Sequence, residues 1–208
     1  KKIKGSLVSI LDSDDFFNRQ KILKQVNIFN KNKNISLCGT WAKFYDENLD
    51  VKKLFSCKLS NTNLKKRLLF VNVLPHSSIM YKKNAAIKVG WYSKKFEYAQ
   101  DFNLTLKLLK KNDIYLIKEY LTNIIQPLNN MSNSSTFEKI RIKENINILK
   151  NNLNNSDNLS NDKTILQNLI YIYSIKLALS SMSLNFIKSF KNLIKIFYKK
   201  PSIIFKLK

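Results

Sequence analysis

Residues 6–11, Ser6-Leu7-Val8-Ser9-Ile10-Leu11, form a short apolar run of strand formers that stops abruptly at Asp12-Ser13-Asp14-Asp15. This reads as a buried strand followed by an acidic loop. Three carboxylates within four residues repel one another, and the chain has only 14 acidic residues in all. Just after a buried strand, they lie where α/β sheets bind ligands, outside the carboxyl ends of the strands. Hard oxygen ligands of this kind suit Mg²⁺ or Mn²⁺, which usually keep waters and are completed by substrate phosphates. The plainer alternative is a solvated acidic turn whose last Asp caps the next helix.

Working outward, Asn18 can cap a helix running to about Asn30, with Ile22, Val26 and Phe29 on one face. Ile35 to Tyr45 returns to strand character and ends in a turn at Asp46-Glu47-Asn48. Strand, helix and strand in alternation indicate an α/β layer rather than a bundle. Short helices are expected over 62–70 and over Asn84–Val89, the latter ended by Gly90 past its last turn. Between them Pro75 to Tyr81 reads as extended, and Trp91 to Ala99 as an aromatic loop. A helix follows from Gln100 to Lys111 with Leu104 and Leu108 on its buried face, then a short strand at Ile114–Ile117. From Glu119 to Ser135 the chain reads as polar and irregular, and a helix is expected over Thr136–Leu153. The Asn/Ser tract at 151–162 reads as a linker, and residues 163–199 as one or two helices of apolar stretches punctuated by lysines. The chain thus divides into an α/β part, 1–135, and a helical extension, 136–208.

The 208 residues are enough for one domain with an appendage, and 44% apolar content can bury a core. Two cysteines exclude a disulfide-stapled scaffold, and one histidine excludes a His/Cys zinc cluster. No stretch reads as a transmembrane span, because Lys176 and polar residues interrupt the longest apolar run. The net charge of +23 is the footprint of a nucleic-acid binder. However, the cations are 34 Lys and only three Arg (Arg19, Arg67, Arg141), spread along the whole chain beside 27 Asn. Arg is the residue of bidentate base and phosphate contacts, so its scarcity argues for compositional bias and against nucleic acid as partner.

Asp101 opens an amphipathic helix. It can serve as a cap and dipole partner there, or as a general base on a rigid helix end facing a cleft. His76, in Pro75-His76-Ser77-Ser78, can line a polar cleft or satisfy backbone groups. Trp91, Tyr92, Phe96 and Tyr98 share one loop, where aromatic faces stack on sugars and bases or join a core. Cys38 reads as a small buried hydrophobe.

Taken together, residues 5–121 resemble the second half of a family 2 glycosyltransferase domain of the GT-A type. Leu11-Asp12-Ser13-Asp14-Asp15 is similar to that family's strand and DxD loop, and Gln20 to Val26 to its following helix. Leu37-Cys38-Gly39-Thr40-Trp41 resembles its next strand, and Pro75 to Lys83 its acceptor-side strand. Gly90-Trp91-Tyr92 through Tyr98-Ala99-Gln100-Asp101-Phe102 resembles its Gly-rich turn and "ED" motif, with Trp91 and Gln100 standing where the family has Gly and Glu.

The resemblance implies a Rossmann-like nucleotide-sugar transferase domain, present here as its C-terminal portion and truncated at the N-terminus. The opening βα units, at about 30 residues each, are expected to lie outside this chain. It implies inverting transfer of a sugar from a nucleotide-sugar donor to a hydroxyl acceptor, a glycan or a lipid-linked one, in bacterial surface-glycan synthesis. Carried over, Asp12 and Asp14 meet the nucleotide-sugar, Asp14 and Asp15 hold Mg²⁺ or Mn²⁺, and Asp101 is the catalytic base. His76, Trp91 and Gln100 face the acceptor. The basic C-terminal helices offer peripheral contact with an anionic membrane, placing the protein in the cytoplasm at the inner face of the plasma membrane. Two competing readings remain at this point, a basic nucleic-acid-binding module and an inactive transferase fragment.

Overall fold

The computed structural model describes residues 3–126, 135–154 and 160–180. Its elements run β1 (Leu7–Ser9), β2 (Phe16–Phe17), α1 (Lys21–Lys31), β3 (Ile35–Tyr45), β4 (Val51–Phe55) and α2 (Asn61–Leu68). A 3₁₀ turn (His76–Ser78) leads into β5 (Met80–Lys82), α3 (Lys83–Lys88), α4 (Gln100–Leu109) and β6 (Asp113–Ile125). Two longer helices follow, α5 (Ser135–Asn154) and α6 (Ser160–Ser180). The chain is a mixed α/β protein, as its sequence implies, and divides into two compact units, Lys1–Lys95 with Gln100–Asn130, and Phe96–Ala99 with Met131–Lys208.

The first unit is built on one sheet of order β1-β5-β3-β6-β2, with β4 on the same side of β3 as β5. The β3–β6 pair is parallel and the others are antiparallel. Ile35–Tyr45 forms a strand over the range its sequence indicates, because Ile35 to Ala42 is buried on both faces apart from Trp41. Asp46 shapes the turn after it, its Oδ1 accepting from the amides of Asn48 and Asp50. The chain then returns as β4, a strand the sequence conceals because Val51-Lys52-Lys53-Leu54 is exposed throughout. On one face of the sheet, Leu37, Leu64, Leu68, Tyr81, Leu104, Leu108 and Leu116 pack together, and Phe29, Ile35, Cys38, Met80 and Ile117 form a second cluster.

Three expectations need correction. The segment from Glu119 is not irregular but continues β6 to Ile125, because β3 offers a partner along its whole length. Pro75 to Tyr81 is not extended throughout, since Ser78 N donates to Pro75 O and closes a 3₁₀ turn before β5. Helix α1 buries the expected face only in part: Phe29 is buried and Val26 packs against the second cluster, but Ile22 does not turn inward. Ile22 is 42% exposed, whereas Lys21 and Gln25 are fully buried beside Phe29. Asn18 does lead into this helix, its Oδ1 accepting from Gln20 N.

In the second unit α5 and α6 pack on each other through Ile142, Ile146, Leu149, Leu166 and Ile175. Both helices extend into the tract read as a linker, which is helical at 151–154 and 160–162. The carboxylate of Glu144 gathers the amides of Glu97, Tyr98 and Ala99, and Tyr98 packs edge-on against Phe137. Among the described residues no helix is long and apolar enough to cross a membrane. Of the basic helices expected to meet a membrane, from 163 onward, residues 163–180 belong to α6 and the rest lies outside the described residues.

Candidate active site

The acidic loop crosses one end of the sheet. It leaves β1 at one edge and re-enters as β2 at the other, where Phe16 and Phe17 pair with Asn123 and Thr122. A turn closes it, with Asp15 N donating to Asp12 O. The backbone amide of Asp12 donates to Ser77 Oγ at 3.1 Å, which ties the loop to the 3₁₀ turn. That turn presents His76, whose Nδ1 lies 3.4 Å from Asp12 Oδ1 and whose Nε2 lies 3.2 Å from the Tyr92 hydroxyl. His76 thus bridges the acidic loop and the aromatic loop.

Asp101 reaches the same place from α4. Its Oδ2 accepts from Asn72 Nδ2 at 2.7 Å and its Oδ1 from the amide of Phe102. The helix is buried almost all round, from Phe102 to Leu109 with only Lys107 partly exposed, so Asp101 sits on a rigid support. Burial is the strongest influence on its carboxyl and pushes the pKa up, while the charge of His76 and the Asn72 and Phe102 bonds pull it back only in part. The charge of Asp101 also acts on His76 and Tyr92, which places the three side chains in one neighbourhood.

The remaining groups differ in setting. Asp12 is held below the usual carboxylate range by its bond to His76, against the opposing effect of burial. Asp15 is pushed up, by burial first, and its Oδ1 accepts from Ile125 N at 3.0 Å. Burial works against charging His76, yet the Asp12 bond and the charges of Asp101, Asp12 and Asp15 raise its pKa above the ordinary value. The Tyr92 hydroxyl is pushed up strongly, first by burial, and so stays a neutral donor.

Of the residues singled out from sequence, Asp12, Asp15, His76 and Asp101 are brought together. Asp14 is exposed on the same turn, and Gln100 is exposed at the first position of α4. Trp91 turns inward, its ring 5.9 Å from Tyr81. Gly90 and Trp91 are both left-handed, at φ 81° and 57°. Trp91 therefore adopts backbone that glycine favours, held by its amide bond to Ala86 O and by its packed ring. Asn72 and Ser77 are contributors to which the sequence alone assigns no role, and Tyr92 stands out there only as one of four aromatics in its loop. Ser77 had a signal in its neighbour His76, but Asn72 is one of 27 Asn with nothing to mark it.

Among the described residues no three His, Cys, Asp or Glu side chains form a metal cage. A cation completed by phosphates needs only one or two carboxylates. Asp15 fits that requirement, since Asp14 and Asp12 both raise its pKa and a cation beside it would relieve their repulsion. A cavity of about 790 Å³ lies elsewhere, lined by Lys24, Asn27, Asn61 and Tyr115, and a second of about 510 Å³ by Phe55, Cys57, Arg67 and Val73.

No protein-family model matches the chain. Over 120 residues it is 28% identical to an uncharacterized glycosyltransferase of Methanocaldococcus jannaschii, a match covering 57% of this chain and 41% of that relative. The chain therefore spans under half the length of the curated relative it matches. Its fold is similar to that of S. aureus TarS 1–349, crystallised in complex with UDP-GlcNAc. The TM-score is 0.57 at 13% identity, over 94% of this chain and 56% of that one. A longer TarS structure gives a TM-score of 0.53 at 13% identity, over 88% and 29%.

Proposed function

We propose that this chain carries the acidic, acceptor-facing part of an inverting, metal-dependent glycosyltransferase of the GT-A type, family 2, acting from a nucleotide-sugar donor. The observation that carries the reading is that His76 is paired with Asp12 of the strand-end loop while also lying within the electrostatic reach of Asp101 at the head of α4. The glycosyltransferase relative and the fold shared with TarS support it, and the UDP-GlcNAc held in the TarS complex is the first donor to test.

In this reading the acceptor hydroxyl lies against Asp101. Its oxygen forms the new bond to the anomeric carbon as the bond to the diphosphate breaks on the opposite face. The proton passes to the Asp101 carboxylate, whose raised pKa makes it a better base than an exposed carboxylate. Asp12 orients the donor, with His76 holding its carboxylate in place. Asp14 and Asp15 would hold Mg²⁺ or Mn²⁺, which when bound supplies the positive charge that offsets the leaving diphosphate. His76, Trp91 and Gln100 border the acceptor, a glycan or lipid-linked hydroxyl at the cytoplasmic face of the membrane.

The test is Asp101→Asn in the protein. Transfer should fall on the order of 1000-fold while Mn²⁺–UDP binding stays within about twofold. The thermal midpoint should hold or rise, because a partly buried carboxylate with a raised pKa costs stability once the pH exceeds that value. Retained turnover would remove Asp101 as the base.

A further inference from the structure

Lys21 is the first residue of α1 and is fully buried, which is rare for a lysine. Its ammonium lies 3.2 Å from Ser9 Oγ and 3.7 Å from the centre of the Phe17 ring. Neither partner is an anion, so the charge is only partly compensated, and burial pushes the pKa down to about 7. A methionine of similar length would fill this space at lower desolvation cost. Stability alone therefore gives no reason for a lysine here.

The two contacts have a particular placement. Ser9 is the last residue of β1 and Phe17 the last of β2, the strands that enter and leave the acidic loop at opposite edges of the sheet. The loop between them carries Asp12, Asp14 and Asp15. Four residues on, Gln25 is buried too, and its Nε2 donates at 2.9 Å both to Cys38 O and to Ser78 O. Gln25 thereby fixes α1 to β3 and to the turn that presents His76 and Ser77.

We propose that Lys21 is a positioning residue, its ammonium clamping both ends of the acidic loop by joining Ser9 to the Phe17 ring and so holding the loop's carboxylates for a metal-bound diphosphate. The diphosphate half of this statement rests on the proposed transferase function, whereas the clamp itself does not. Anchored at both ends, a loop of this length loses less conformational freedom when it binds a ligand.

The experiment uses Lys21→Met in the protein, with three readouts. The thermal midpoint should stay level or rise, since a buried, partly compensated charge is removed. Amide hydrogen exchange over 10–17 should quicken about tenfold while β3 and β6 amides keep their rates. Mn²⁺–UDP binding, followed by the water-proton relaxation of the bound Mn²⁺, should weaken about tenfold. The variant Phe17→Leu, which retains the lysine and removes the ring, should reproduce part of the exchange effect, and adding Lys21→Met to it should produce less than the sum. Wild-type exchange over 10–17 in Lys21→Met would overturn the clamp, whatever the protein transfers. Faster exchange with unchanged Mn²⁺–UDP binding would overturn its role in holding the diphosphate. Faster exchange in a protein that binds no Mn²⁺–UDP even as wild type would leave the clamp in place and overturn its link to the diphosphate.

Discussion

Asp12 of the strand-end loop and Asp101 at the head of α4 bring carboxylates to one neighbourhood under opposite conditions. In the loop, Asp12 is half exposed and paired with His76, which keeps it ionised. At α4, burial outweighs every favourable contact of Asp101 and raises its affinity for a proton. Environments that push two carboxyls apart are how one site assigns different tasks to the same side chain. Asp12 is suited to hold charge, and Asp101 to accept a proton.

The contrast collapses at the loop if its charge is removed. With Asp101 untouched, Asp15→Asn should weaken Mn²⁺–UDP binding on the order of 100-fold, measured by calorimetry, while transfer at saturating donor falls less. It deepens at the helix head if Asn72→Leu removes the bond to Asp101 Oδ2. That loss should move the acid limb of the kcat/KM profile to higher pH, read from kcat/KM measured across pH.

The smallest effect concerns the residue between them. The folded pKa of His76 is raised, so its contribution to stability is present below 6.5 and is lost as pH rises through the folded value. The contribution of Asp12, whose pKa is lowered, is present above 3.8 and is lost as pH falls through its folded value. In protein free of divalent metal, His76→Gln should therefore be less stable than wild type between those limits, by about 2 °C in the thermal midpoint. The gap should close toward pH 8, which melting curves across pH will show.

Much of this site was legible because its chemistry is local. Acids at a strand end and an acid opening a helix keep their spacing in any fold that buries the strand, so Asp12, Asp15 and Asp101 could be named from the sequence. Asn72 could not, since only the tertiary path from α2 to the 3₁₀ turn carries its side chain to Asp101. The same distinction separates β3 from β4 and from the second half of β6. Ile35 to Ala42 is an apolar run that marks itself. Lys52-Lys53 in β4 and Lys118-Glu119 in β6 carry no apolar signal, and become strand because β3 supplies a partner edge. Helix α1 misled for the opposite reason. Its apolar spacing pointed inward at Ile22, whereas Lys21 and Gln25 are the residues that the neighbouring strands and turn accommodate.

Above all, the surroundings of Asp101 suit it to act as a base within the field of His76. Titrating the protein labelled with ¹³C at the aspartate carboxyls follows each acid separately, and the resonance missing from Asp101→Asn identifies this one. The Asp101 signal should titrate above 3.8 and shift again as His76 loses its proton at higher pH. A signal that titrates at or below 3.8, and is blind to His76, would contradict that assignment.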